Sequence, residues 1–273
     1  GQSTGWASSQ IGDDYLVAVG SSLGSMYGYR NDGRYEVSDF DYVGGKYVLK
    51  SGVVNTSTSL VGSGSSLMPG DMKLKDINGD GIVDIKDKTV IGNVNPKSTG
   101  GFVINGNAYG FDLMAAFNWS IGNEVYNADK IEFSTATASG RYKNLNSTMA
   151  DGKRWTNLDP ATGQLVIDNP EALAALNTNT TMWSPYIRAA IFTDWAVEDA
   201  SFLRLNTLTL GYTTPEMFTS KLGISKLRFY LTASNVFVWT NFSGSDPEVS
   251  TKRKNPLTPG VDSSPYPRRR QMI

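Results

Sequence analysis

Gly101-Phe-Val-Ile-Asn-Gly-Asn-Ala-Tyr-Gly-Phe-Asp-Leu-Met-Ala-Ala-Phe-Asn-Trp-Ser-Ile121 is the stretch whose reading decides the fold. Successive side chains of a strand point to opposite faces. Phe111, Leu113, Ala115, Phe117, Trp119 and Ile121 therefore share one face, with Asp112, Met114, Ala116, Asn118 and Ser120 on the other. Just upstream, Phe102, Ile104, Gly106 and Ala108 alternate with Val103, Asn105, Asn107 and Tyr109. The two runs meet at Tyr109-Gly110, which predicts a tight hairpin. Later, Leu227, Phe229, Leu231 and Ala233 alternate with Arg228, Tyr230, Thr232 and Ser234. The run 201–212 changes phase, with Leu203 and Leu205 odd but Leu208, Leu210 and Tyr212 even, so a bulge near Asn206 is expected.

Strands of about 9–11 residues, apolar on one face and polar on the other, fit a membrane-spanning barrel. They also fit half of a soluble sandwich. Loop lengths separate the two. The connection at 109–111 is very short and that at 213–226 modest, whereas those at 122–200 and 240–267 are long. Outer-membrane barrels alternate short periplasmic turns with long extracellular loops, and a sandwich has no reason to. The expected fold is all-β: a transmembrane antiparallel β-barrel with long extracellular loops. The expected division is 1–100, an extracellular loop region, and 101–273, barrel strands and loops with an incomplete last strand. The chain is expected to be a fragment. In this orientation Trp119 and Trp239 mark the outer membrane interface, and Phe111 and Tyr212 the inner one. The lipid-facing set is Phe111, Leu113, Ala115, Phe117, Trp119 and Ile121 with Leu227, Phe229, Leu231 and Ala233.

The second informative stretch is Asp76-Ile-Asn-Gly-Asp-Gly-Ile-Val-Asp-Ile-Lys-Asp87. It has the spacing of a twelve-residue calcium loop, which supplies oxygen ligands from alternate positions. Asp76, Asn78 and Asp80 offer side-chain oxygens, Ile82 its carbonyl, and Asp84 and Asp87 the ninth and twelfth positions. Gly81 stands where the loop turns sharply. All-oxygen donors favour Ca²⁺ over transition metals, and the expected role is structural.

Composition excludes several classes. The chain has 273 residues without cysteine or histidine, so disulfides, thiolate metal sites and histidine bases are absent. Gly20-Ser-Ser-Leu-Gly24 matches a hydrolase nucleophile elbow, but no histidine can take the Ser22 proton. Asp199 and Asp246 as a glycosidase pair are outweighed by a reading as solvated loop carboxylates. A net charge of −1 gives no basic field for nucleic acid. The low charged fraction of 19% suits an extracellular β protein. No run of apolar residues is long enough for a transmembrane helix.

Pro69-Gly-Asp-Met-Lys-Leu-Lys-Asp-Ile-Asn-Gly-Asp-Gly-Ile-Val-Asp84 and Val90-Ile-Gly-Asn-Val-Asn-Pro-Lys97 resemble signature segments of the SusC-like (RagA-like) TonB-dependent transporters of Bacteroidetes outer membranes. So do Gly110-Phe-Asp-Leu113, Gly122-Asn-Glu-Val-Tyr-Asn127, Ser201–Tyr212, Leu227-Arg-Phe-Tyr230, Ser243-Gly-Ser-Asp-Pro-Glu-Val249 and Thr258-Pro-Gly-Val-Asp262. These matches run in family order from about residue 20 onward and cover the C-terminal part of such a transporter. The resemblance implies the last strands of a 22-stranded barrel with a plugged lumen, importing oligosaccharides or peptides by TonB-driven transport. It also implies a SusD-like surface lipoprotein as partner, TonB contacts made by the N-terminal part, and no enzymatic role. Trp155, Trp183 and Trp195 are candidate anchors for that partner, or members of the loops' own core. The alternative is a soluble calcium-stabilised binding or adhesion module, weakened because the calcium loop occurs in a single copy.

Overall fold

The computed structural model describes residues 14–58, 60–61, 66–136, 144–187, 190–250, 256–263 and 271–272. Its first third is a set of short strands, because Gly and Asn/Asp pairs break every apolar run within a few residues. In chain order they are β1 (Tyr15–Leu16), β2 (Ser25–Gly28), β3 (Asn31–Arg34), β4 (Phe40–Val43), β5 (Lys46–Leu49), β6 (Asn55–Thr56), β7 (Met72–Leu74), β8 (Ile82–Val83) and β9 (Thr89–Asn93). They form small sheets, β1-β2-β9, β3-β7, the hairpin β4-β5 and the parallel pair β6-β8. The apolar run from Tyr15 is a strand only as far as Leu16. Beyond it Val19 is fully exposed.

The rest is organised by four long strands. β10 (Ser98–Ala108) and β11 (Phe111–Ile121) form the hairpin. Next come β12 (Glu124–Asn127), α1 (Ala128–Glu132), α2 (Pro170–Asn177) and β13 (Val197–Asp199). The chain then re-enters the wall through β14 (Phe202–Thr213), α3 (Glu216–Thr219) and β15 (Arg228–Thr240), ending in β16 (Val261–Asp262) and β17 (Gln271–Met272). The short helices depart from an all-β expectation. The clearest, α2, starts on local chemistry: Pro170 stands in its first turn and the Asn169 side chain accepts from the Ala172 N–H.

The wall is an antiparallel meander in the order β10-β11-β14-β15-β17. Ala108 pairs with Phe111, leaving Tyr109 and Gly110 as a two-residue loop with φ of 50° and 85°. Positive φ at both central residues is the twist-matched hairpin turn. Pairing rows line up the apolar residues. Phe117 faces Phe102 and Leu205, and Leu205 faces Phe237. Leu113 faces Leu210, which faces Leu231. Register shifts at Asn206, so Leu205 and Leu208 keep to one face despite their odd and even numbers. The expected bulge is there. On β15 the same row holds Asn235 and Val236, and Asn235 adopts φ 58°, a conformation asparagine tolerates.

The outcome is one continuous apolar face. Phe102 and Phe117 stack at 4.7 Å, and Phe111 packs on Tyr212 at 4.6 Å. Nothing in the described structure covers this face: Phe111, Leu113, Leu210, Phe229 and Leu231 are all exposed. Trp119, Leu203 and Trp239 make one row, and Phe111, Tyr212 and Phe229 another. Eight residues separate Trp119 from Phe111, about 26 Å along the strand.

The buried core lies elsewhere, in the loops. Tyr29, Tyr35, Phe40, Met72, Leu74 and Val83 pack with Met149, Trp183, Ile187 and Ile191, so the 14–100 segment and the 122–200 connection share one core. A second cluster joins Tyr15, Met26 and Ile91 to Tyr126, Ile131, Phe192 and Val261. The fully buried Tyr35 hydroxyl donates to the Val54 carbonyl at 2.6 Å and accepts from the Thr56 N–H at 2.8 Å.

Candidate functional site

The face of the wall opposite the apolar one carries the polar chemistry. Arg204 lies between Leu203 and Leu205 and so points to that side. It is 4% exposed, and its guanidinium binds Asp246 at 2.7 Å, Glu248 at 2.9 Å and the side-chain Oδ1 of Asn235 at 3.0 Å. The segment after β15 is thereby folded back over the polar face of the wall. Lower down, Arg228 makes a two-pronged pair with Asp112, and Asn206 donates to Asn118 at 2.7 Å.

Above this face opens a polar cavity of about 700 Å³, lined among others by Asn127, Asp129, Glu198, Ser243, Gly244 and Asp262. Glu198 is well satisfied, accepting from Ser243 N and Oγ and pairing with Lys130 at 3.1 Å. Burial opposes its charge, but these partners outweigh burial and hold the carboxyl below its ordinary range. Asp262 is the contrast. Burial, reinforced by Asp129, Glu198 and Asp246, pushes its carboxyl up to about 6. Neither this cavity nor Arg204 was singled out from sequence, because both depend on loops folding back across the wall.

The calcium-type loop is exposed from Gly79 to Ile82, and Gly81 has φ 84°, as a sharp turn requires. Its side chains turn onto its own backbone. Asp76 accepts from the N–H groups of Gly79 and Gly81, Asn78 from Asp80, Asp80 from Ile82, and Asp84 from Lys86. Among the described residues no three acidic side chains converge as metal ligands do. A carboxylate has about four lone-pair positions, so Asp76, Asp80 and Asp84 keep capacity for a hard cation, and the donor set there fits one. Asp87 differs. It is fully buried, with Oδ1 accepting from Ile77 and Asn78 and Oδ2 from Asp84. Burial alone would raise its pKa, yet the backbone N–H groups outweigh it and lower it. Asp87 is the anchor that closes the loop onto the core beside Tyr29, whose hydroxyl burial and the Asp84 and Asp87 charges push to about 12.

Other sequence candidates resolve as structure. Asp246 is held by Arg204, and Asp199 accepts from the Ser201 N–H and hydroxyl, so both carboxylates have structural partners. Ser22 is an exposed loop serine accepting from Asn95. Trp155 and Trp183 are 2% and 3% exposed, which makes them core residues and not surface anchors. Arg34 stacks over Trp155 at 4.8 Å, and Trp183 meets the half-buried Trp195 edge-on at 5.0 Å.

A meander of long strands with one bare apolar face and, among the described residues, no second layer over it has the form of part of an outer-membrane β-barrel wall. No family model matches the chain. Similarity to curated proteins is clear: 30% identity over 95% of this chain to TonB-dependent receptor P39, and 28% over 92% to receptor P3, both of Formosa agariphila. A shorter stretch, 28% of the chain, is 35% identical to the TonB-dependent receptor SusC of Bacteroides thetaiotaomicron. The structure superposes on the RagAB peptide importer in its closed-closed state with a TM-score of 0.58 over 96% of this chain, at 20% identity. The chain belongs to the SusC-like TonB-dependent receptors and corresponds to a C-terminal part of one. It spans 22–25% of the length of the Formosa relatives.

Proposed function

We infer that the chain forms part of an outer-membrane importer of the SusC type, supplying the last strands of a 22-stranded, plugged barrel. The single observation that carries this is the unbroken apolar face across β10, β11, β14 and β15, left uncovered as a lipid-facing wall must be. The similarity to TonB-dependent receptors supports energy-coupled uptake; the solute proposed is an oligosaccharide or a peptide. The RagAB structures are those of a peptide importer, which favours peptides as the solute; a SusD-like lipoprotein as partner of this chain belongs to the same proposal. Purification of the whole receptor from native membranes in mild detergent is the test. Co-migration of a surface lipoprotein of that type supports the reading, and a receptor that runs alone contradicts it.

Calcium belongs to the same proposal. Asp76, Asn78, Asp80, the Ile82 carbonyl and Asp84 would hold one Ca²⁺, with Asp87 closing the loop through backbone contacts. The ion would screen carboxylates crowded into twelve residues and so stiffen the surface between β7 and β9. Titration calorimetry at millimolar calcium checks this. Heat of binding that vanishes in Asp80→Ala is expected; no binding by the wild-type receptor overturns it.

A further inference from the structure

The cavity above the polar face holds an unanswered charge. Asp262 lines it and is 1% exposed, and its Oδ1 has no hydrogen-bond partner. Leaving a carboxylate buried and unpaired is costly, so the position calls for a donor. Among the described residues the positive groups nearby are already engaged. Lys130 is bound to Glu198 and donates to the Trp195 carbonyl at 2.7 Å, and Arg204 is bound to Asp246 and Glu248. Three further carboxylates, Asp129, Glu198 and Asp246, act on Asp262 through space. The cradle is also shaped: a Cβ at Gly244 would overlap Asp262 Oδ2, so only glycine lets the carboxylate sit there.

We propose that this cavity is a subsite for a primary ammonium group of the bound solute, with Asp262 as its counter-charge. An ammonium offers three donors and tolerates the loose polar surroundings that Asn127 and Ser243 provide. It can come from the free amino terminus of a peptide or from an amino sugar. The proposal rests on the importer reading only in that the solute passes this cavity, and binding can be measured without uptake.

The test is titration calorimetry on the whole receptor in detergent with two matched pairs: trialanine against N-acetyl-trialanine, and glucosamine against N-acetylglucosamine. Acetylation removes the charge and two of the donors. At least one free amine is expected to bind ten-fold or more tightly than its acetylated form, and the pair that shows this names the source. Asp262→Asn should erase that preference. If Asp262→Asn does not fold, the acetylation contrast on the wild-type receptor decides. No binding by either amine, equal binding of both members of each pair, or a preference surviving in a folded Asp262→Asn would overturn the proposal. So would a structure of the whole receptor with a lysine or arginine of another segment seated on Asp262. Failed uptake with intact amine binding would count against the importer reading and leave this subsite standing.

Discussion

At the scale of single residues, two buried aspartates behave in opposite ways. Asp87 accepts three backbone N–H groups and its carboxyl is lowered, so it stabilises the fold above the ordinary carboxylate range and stops doing so as pH falls. Asp87→Asn leaves N–H groups facing an amide NH₂ and should cost roughly 1–3 kcal/mol locally. Hydrogen exchange across 75–93 would show it as faster opening, with the wall unchanged. Asp262 runs the other way. Its carboxyl is raised from 3.8 to about 6, so the folded state binds the proton more tightly. The charged form is a penalty that is absent below pH 4, grows as pH rises through 6, and reaches roughly 3 kcal/mol above it. In the absence of solute, Asp262→Asn should therefore slow exchange in 241–263 at pH 7.5 and have little effect at pH 4. Equal effects at both pH values would contradict this sign.

At the scale of elements, the long strands were legible in the sequence because each obeys one period, and a slip of one residue would turn every apolar side chain to the polar side. Tyr109-Gly110 and Asn206 were legible for the same reason: a hairpin needs its turn residues, and a phase change needs an extra one. The calcium-type spacing was visible, but the role of Asp87 as a backbone anchor was not, since it depends on burial beneath Tyr29. Trp155 and Trp183 stayed open between partner anchor and loop core, because an aromatic in a long loop looks the same in sequence whether it faces a partner or a core; their burial decides for the core. Two substitutions test the elements. Ala115 sits mid-strand on the apolar face, so Ala115→Arg should cost about 2–4 kcal/mol in bilayer-folded stability, with Ala116→Arg on the polar face costing far less. Arg204→Met removes one side of a buried ion pair, which typically costs about 3–5 kcal/mol. Limited proteolysis should then cut 241–250 readily in the variant while the strands stay resistant.

At the scale of the whole molecule, the chain divides its labour by face. Among the described residues nothing lies over the apolar side chains of the wall, and the buried core is built from the loops, tied to the wall through Arg204 and the 241–250 segment. This is the reverse of a soluble sandwich, which would bury the apolar face and leave its loops thin. This chain has no cysteine, so the decisive measurement needs only that any cysteine elsewhere in the receptor be replaced. Single cysteines placed at each position from 111 to 121 of the whole receptor, spin-labelled in lipid bilayers, report exposure to oxygen in the lipid and to a water-soluble nickel complex. High oxygen access at 111, 113, 115, 117 and 119, alternating with high nickel access at the even positions between them, is the expected result. The opposite alternation, or nickel access at both sets, would contradict a lipid-facing wall.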